Sequence, residues 1–445
     1  MRRYKTYING EWFEGTSGIV LRSVDPSNNK ELGEIVQNSK EDVEYAIESA
    51  SRSFYKTREW RDLDVQQRND KLLKIADMIE SEIDEIAKTE SMDNGKPLRE
   101  AQADVDDAVH CFRYYAGLIR TPSGQTYNVN SNFGNMHSYT VKEPVGVCAL
   151  ITPWNFPFLM SVWKIAPALA AGNSIIFKPS SETVLSALKL FEILDKCDLP
   201  KGTANLVIGS GSTVGNLLAE SKKVDMITFT GSTSVGQGIM RAAAGNVKKI
   251  GLELGGKSPN IVFADTDIDK TVEWVMMGIF LNQGEVCCAG SRLIIEKSIK
   301  DKFLKKLVDK TDKLTLGAPL DNPDIFDDCT SDMSIVREEI FGPVLTVLTF
   351  ETEEEAIELA NDTDYGLAGA VFCNDTAKAL RVIKEVRAGI TWINCYNPAF
   401  SEAPWGGYKM SGIGRELGTS GLDEYQETKQ ININISGTPL GWYNH

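Results

Sequence analysis

Between residues 145 and 252 short apolar runs alternate with stretches of helical period. Segments 145–151, 174–177, 204–208, 226–229 and 248–252 read as strands, with helical patterns between them. Strands alternating with helices at this spacing predict an open, mainly parallel sheet with helices on both faces, a dinucleotide-type architecture. Ahead of it, 40–53 and 65–93 combine helical periodicity with many charges and are predicted to be surface helices flanking the sheet. Beyond Glu253 the alternation restarts: 271–280 helical, 291–296 extended, 298–313 helical, 344–350 extended and 353–360 helical, which predicts a second α/β domain. Segment 430–435 alternates polar and β-branched residues and reads as an edge strand able to pair with another chain. No internal repeat or low-complexity tract interrupts the pattern.

A chain of 445 residues accommodates two or three such domains, since single cores stop growing at roughly 250–300 residues. Its composition, 42% hydrophobic and 24% charged, is that of an ordinary soluble globular protein. The most apolar windows, such as 274–281, fall short of the roughly 18–20 residues that span a bilayer. A net charge of −15 and scattered basic residues oppose binding to nucleic acid or to anionic membranes. Met1-Arg2-Arg3-Tyr4-Lys5 is basic, but no apolar core of signal-peptide length follows it, so export is not expected. The cysteines, Cys111, Cys148, Cys197, Cys287, Cys288, Cys329, Cys373 and Cys395, form no CxxC and suit a reducing cytoplasm. With only His110, His137 and His445, there is little material for a histidine metal cluster or a Ser-His-Asp triad, and no metal is expected.

The chemistry must therefore rest on other groups. Asn282-Gln283-Gly284-Glu285-Val286-Cys287-Cys288-Ala289-Gly290-Ser291-Arg292 places a cysteine in a glycine-containing turn before a predicted strand. A lone cysteine is more often an inert buried residue than a nucleophile. Glu253-Leu254-Gly255-Gly256-Lys257-Ser258-Pro259 sets a carboxylate beside two glycines at a strand end, although a single Glu is usually a solvated charge. Thr152-Pro153-Trp154-Asn155-Phe156-Pro157 also follows a strand, and its Asn amide suits a developing oxyanion, although an Asn in a turn is usually a cap. Phe229-Thr230-Gly231-Ser232-Thr233-Ser234-Val235-Gly236 reads as strand, turn and helix start, suited to phosphate but weak alone, because Gly-Ser turns cap helices everywhere. Three reactive elements near strand ends suggest one crevice, where open α/β sheets bind ligands.

Together these segments closely resemble the aldehyde dehydrogenase superfamily, in its hydrolytic branch with the betaine aldehyde dehydrogenases. The resemblance runs along nearly the whole chain and is joined by Glu338-Glu339-Ile340-Phe341-Gly342-Pro343 and Ala403-Pro404-Trp405-Gly406-Gly407-Tyr408-Lys409. It implies a Rossmann-type dinucleotide-binding domain (1–125 and 143–254), an α/β catalytic domain (255–425) and a small β oligomerisation element (126–142 and 426–445). It implies a covalent mechanism as well. Cys287 attacks the aldehyde, Asn155 and the Cys287 N–H hold the oxyanion of the thiohemiacetal, hydride leaves for nicotinamide, and Glu253 activates the water that hydrolyses the thioester. Lys164 and Glu416 match a proton-exit route, and Cys288 is read as a packing neighbour exposed to oxidation. Lys178 and Glu339 would hold ribose hydroxyls, Phe341 would pack near the nicotinamide, and Ser232 would approach the pyrophosphate. Ile151, Thr152, Trp154, Ser181, Gly231 and Leu254 complete the implied cofactor site.

Cofactor choice turns on one departure. Where many NAD-preferring members show Lys-Pro-Ser-Glu, this chain reads Lys178-Pro179-Ser180-Ser181-Glu182, so NAD is expected and a barrier to NADP is removed. Phe156, Trp163 and Trp405 match the aromatic box that cages trimethylammonium in betaine aldehyde dehydrogenases, where cation–π attraction contributes ~0.5–2 kcal/mol. Leu281 gives that pocket an aliphatic wall, so an apolar aldehyde tunnel is the alternative. The tail Gly441-Trp442-Tyr443 is similar to amino- and betaine-aldehyde members. A second departure falls at Asp321-Asn322-Pro323-Asp324-Ile325, where family chains carry a long further stretch. We read this as an omitted surface segment, because a true deletion would strip secondary structure from the catalytic domain and expose its core.

The expectation is thus irreversible oxidation of a small-molecule aldehyde in the cytoplasm by a homodimer or homotetramer. Two rivals stand beside it. A CoA-acylating enzyme is opposed by the water-activating carboxylate at Glu253. A non-catalytic protein of the same fold is opposed by the joint presence of Cys287, Glu253 and Asn155.

Overall fold

In a computed structural model, which describes residues 2–121, 124–131, 134–314, 325–326 and 337–437, strands Val147–Ile151, Ser174–Lys178 and Met226–Thr230 are buried at every residue. That is why they are continuous apolar runs rather than alternating ones: helices cover both faces of the sheet they build. The sheet runs Gly412–Ile413, Lys249–Glu253, Met226–Thr230, Val147–Ile151, Ser174–Lys178, Ala204–Leu206, Thr6–Ile8 and Glu11–Phe13. Its five central strands are parallel, as expected; Gly412–Ile413, Thr6–Ile8 and Glu11–Phe13 add antiparallel edges that the alternation of elements does not announce.

A second sheet of six parallel strands, Ile325–Phe326, Leu345–Phe350, Arg292–Glu296, Pro259–Val262, Ala368–Phe372 and Ile390–Ile393, confirms the second α/β layer. Gln426–Asn434, longer than the expected 430–435, pairs antiparallel with Gly134–Pro144, which in turn pairs with Thr126–Ser131. Within this three-stranded sheet Gln426–Asn434 is an edge strand.

The helix expected over 65–93 is two. Val65–Ser81 and Ile83–Asn94 meet at Glu82, whose φ of −112° and ψ of 15° leave the helical region. The bend lets both pack against Leu98–Leu118, a long helix that buries Ala101, Val105, Ala108, Val109 and Phe112 along one side. The helix expected over 298–313 begins later, at Lys300–Thr311, after the short turn Lys297–Ile299. Pro157–Ala171 is buried along its whole length. Proline at its first position suits a helix start, and Gly172 (φ 96°) ends it by donating to Ala168 and Leu169 carbonyls.

Among the described residues no helix is long and apolar enough to cross a membrane. The short stretch at 321–324, Cys329 and the tail Gly441-Trp442-Tyr443 lie outside the described residues.

Candidate active site

Four neighbouring parallel strands end on one edge of the first sheet, and each delivers a side chain there. Val147–Ile151 leads through Thr152 to Asn155; Ser174–Lys178 ends on Lys178; Met226–Thr230 opens into Gly231 and Ser232; Lys249–Glu253 ends on Glu253. The second sheet faces them with two loops. One carries Cys287 between helix Ile268–Phe280 and strand Arg292–Glu296, and the other carries Glu339 and Phe341 ahead of Leu345–Phe350. All these side chains open onto a single cavity of about 1400 Å³. Ile151, Trp154, Leu254, Ser181, Phe156, Trp163, Leu281 and Trp405 line it as well, so the expected cofactor and substrate residues share one space.

Cys287 is half-buried in the wall of that cavity. Hydrogen bonding to the Cys288 thiol, followed by burial, holds its thiol well above the ordinary range, and Glu339 adds to this. Cys288 is itself buried, with its sulfur 3.4 Å from Asn397 Oδ1, as a packing neighbour should be. The loop before Cys287 is kinked: Asn282 and Gln283 have φ of 46° and 56°, and Gly284 follows at 78°. A Cβ on Gly284 would meet the carbonyl carbon of Gly342 at 2.5 Å, so glycine is required both by conformation and by space. Three hydrogen bonds hold the kink. The Asn282 N–H donates to Glu100 Oε2 (2.9 Å), the Asn282 amide donates to the Asn155 carbonyl (2.8 Å), and the Asn155 amide donates to the Glu285 carbonyl (2.7 Å).

Glu253 is 6% exposed and neither carboxyl oxygen has a hydrogen-bond partner among the described residues. Burial drives its pKa well above the carboxylate range, and Glu416 raises it further while Lys164 opposes. A buried carboxyl with unused oxygens is poised to accept a proton from water. Behind it Lys164 pairs with Glu416 and donates to Thr228 Oγ1 at 3.1 Å, both charges being buried. Neither reaches the cavity wall. Glu416 exchanges two backbone hydrogen bonds of 2.7 Å with Trp405, while Lys164 follows Trp163 on its helix, so the two indoles and the ion pair are fixed together. The Trp163 and Trp405 rings meet edge to face at 5.4 Å.

At the other end Lys178 is buried, with Nζ 3.0 Å from the Pro179 carbonyl, and desolvation lowers its pKa to about 8. Burial pushes Glu339 up to about 7 against the Gly256 N–H that donates to it at 3.0 Å. Ser181 donates to the Gly209 carbonyl at 3.0 Å, and Glu182 is exposed. Among the described residues the Thr152 and Thr230 hydroxyls are buried without partners, and helix Thr233–Ala243 starts at Ser232 with no side-chain cap. Free N–H groups at a helix start and spare hydroxyls, amine and carboxyl fit a polyhydroxylated, phosphorylated cofactor. Phe341 sits at φ 61° with its ring 5.5 Å from Trp154.

Sequence reasoning missed the helix face that walls the substrate end: Arg99, Glu100, Asp104 and Asp107 from Leu98–Leu118 line the cavity. The spacing of the three acids, i, i+4 and i+7, was the available signal. Lys96, buried behind Phe156, was missed too.

Comparison with known proteins agrees with this geometry. The sequence profile of the aldehyde dehydrogenase family matches residues 12–322 and 322–431. Betaine aldehyde dehydrogenase of Bacillus subtilis is 44% identical, over 98% of this chain and 99% of that protein. Aminoaldehyde dehydrogenase 1, peroxisomal, of Pisum sativum is 43% identical over 98% and 97%. A crystal structure of Staphylococcus aureus betaine aldehyde dehydrogenase in complex with NAD+ superposes with a TM-score of 0.95 at 40% identity, covering 99% of this chain and 96% of that one. The alignment to the Bacillus protein runs over 487 positions, more than this chain holds, and the family match divides at 322, so relatives carry residues there without a counterpart here. The chain belongs to the aldehyde dehydrogenase family and is an NAD(P)-dependent oxidoreductase that converts an aldehyde to its acid by the family's cysteine mechanism.

Proposed function

We propose that the substrate is a small cationic aldehyde such as betaine aldehyde, oxidised through Cys287. The observation that carries this reading is the composition of one cavity: a thiol, a carboxyl and an amide at its centre, two indoles beside them, and Glu100 and Asp107 against Arg99 in its lining. Net negative charge along the approach attracts a cation, and indole faces complement a desolvated ammonium group.

Cys287 is the nucleophile, and the second N–H of the Asn155 amide, free once the first is committed to Glu285, stabilises the oxyanion with the Cys287 backbone N–H. The bound dinucleotide supplies the hydride acceptor. Glu253 takes the proton of the hydrolytic water, and the Glu416 carboxylate, held by Lys164, accepts it behind the cavity. Lys178, Glu339, Ser181, Ser232, Gly231, Thr152, Trp154, Phe341, Ile151 and Leu254 hold the cofactor. Since Ser181 brings no charge, the adenosine end accommodates NAD and admits NADP. Residues 1–125 and 143–254 act as the cofactor domain, 255–425 as the catalytic domain, and 126–142 with 426–445 as the element that joins subunits into a homodimer or homotetramer. The open edge of Gln426–Asn434 supports that last assignment. The cysteine pattern supports a cytoplasmic setting.

Trp274, Met277 and Leu281 form an apolar wall that favours a second reading, a broad aliphatic aldehyde dehydrogenase. NADH and NADPH formation with betaine aldehyde and with a short aliphatic aldehyde, with Cys287→Ala as control, separates the two. A preference for the aliphatic substrate overturns the cationic reading.

A further inference from the structure

Phe156 is not an ordinary wall of the aromatic box. The ammonium of Lys96 lies 4.1 Å from the centroid of its ring. That side chain is completely buried and does not reach the cavity that Phe156 lines. Two carboxylates hold it there: Asp104 Oδ2 at 2.6 Å and Glu90 Oε1 at 3.4 Å. Glu90 is buried and also accepts the Phe158 N–H at 3.1 Å, which ties the cluster to the segment that carries Phe156.

An aromatic ring attracts cations through electron density on both of its faces. A cation held on one face draws that density toward itself and leaves less for a second cation elsewhere on the ring, and the two cations also repel. Among the described residues no cation lies over the ring of Trp163 or Trp405: the two indoles meet each other edge to face, and Trp405 also lies tilted against Trp392. We infer that Lys96 is a specificity-determining residue that acts through Phe156, weakening this one wall for cationic aldehydes while leaving it intact for neutral ones, so that the two indoles carry most of the recognition of the ammonium group. Asp104 and Glu90 act in the opposite sense, by screening the charge of Lys96.

This inference rests on the cationic reading of the substrate, but its test does not depend on that reading. Betaine aldehyde and 3,3-dimethylbutanal have the same shape and differ in a quaternary nitrogen against a quaternary carbon. The readout is the ratio of their kcat/KM values in the wild type, in Lys96→Met and in Glu90→Gln. Lys96→Met is expected to raise the ratio about three- to tenfold through a lower KM for betaine aldehyde, with little change for dimethylbutanal. Glu90→Gln, which keeps an acceptor for the Phe158 N–H, is expected to lower the ratio. A purely structural role for Lys96 would slow both substrates alike, and an unchanged or lowered ratio in Lys96→Met overturns the inference. Should Lys96→Met not fold, Glu90→Gln decides: a lowered ratio supports the inference and an unchanged one overturns it. A wild type that prefers dimethylbutanal sinks the cationic reading, yet the shift between wild type and variants still settles the role of Lys96.

Discussion

The Asn155 amide donates to the main-chain carbonyl of Glu285 at 2.7 Å, and so the group suited to the oxyanion is fastened to the loop that carries the proposed nucleophile, Cys287. Asn282 completes the clamp from the other side by donating to the Asn155 carbonyl. Asn155→Ala should lower kcat by on the order of 10²–10³, the usual cost of one oxyanion donor. Steady-state kinetics beside a melting curve checks this; an unchanged kcat in folded protein would remove Asn155 from the chemistry.

The pH dependence follows from two groups with raised pKa values. In the proposed mechanism Cys287 loses a proton to attack and Glu253 is ionised to accept one, and the Cys288 thiol and burial, respectively, oppose those ionisations. The reactive forms therefore accumulate as pH rises and are lost as it falls. Alkylation of Cys287 by iodoacetamide should keep accelerating above the ordinary thiol pKa of about 8.5, and Cys288→Ala should shift the curve to lower pH. A rate that levels off below pH 8 contradicts the structure.

Replacing Glu253 by Gln keeps the volume and removes the proposed base. Acylation should survive while hydrolysis fails, so that intact-mass measurement after exposure to aldehyde and cofactor finds the acyl group retained on Cys287. Rapid release of the acyl group from this variant would assign the water-activating role elsewhere.

Buried charges make the Lys164 and Glu416 pair a stability element too. Lys164→Met leaves the Glu416 carboxylate buried without its partner, at an expected cost of about 3–5 kcal/mol, visible as a marked fall in Tm. The double variant Lys164→Met/Glu416→Leu should recover much of that loss. If single and double variants melt alike, the pair contributes no coupling.

Much of this architecture is legible in the residues themselves, for a physical reason. Val147–Ile151, Ser174–Lys178 and Met226–Thr230 are buried on both faces, so they appear as uninterrupted apolar runs. The antiparallel strands Thr6–Ile8 and Gly412–Ile413 are too short to show any period, and the partners that join them to the parallel strands, Leu206 for one and Leu252 and Glu253 for the other, lie far away in the chain. Glu100, Asp104 and Asp107 do share a helix face by spacing, but such a stripe ordinarily means solvent; only the fold turns it toward a cavity. Asn94-Gly95-Lys96-Pro97 looks like a turn, and nothing local shows that Lys96 ends beneath an aromatic ring.

Cofactor preference can be read from one position. Ser181→Glu adds a carboxylate where the cofactor's adenosine end is proposed to lie and should reduce the use of NADP relative to NAD by about tenfold or more. Comparison of NADPH and NADH formation by the two proteins checks it; equal ratios would place the discrimination at another residue.

The return of Gly412–Ile413 to the first sheet also bears on how the protein is made. This strand pairs with Leu252 and Glu253, and the Leu254 N–H donates to the Ser411 carbonyl at 2.9 Å. The strand that presents Glu253 is thus flanked by chain that leaves the ribosome long after it, and Glu416, whose charge acts on Glu253, follows later still. During synthesis the cofactor-side sheet has all of its central strands long before its edge is closed. A nascent chain halted before residue 411 would carry an uncovered strand at this end of the sheet, and the last part of translation supplies its cover.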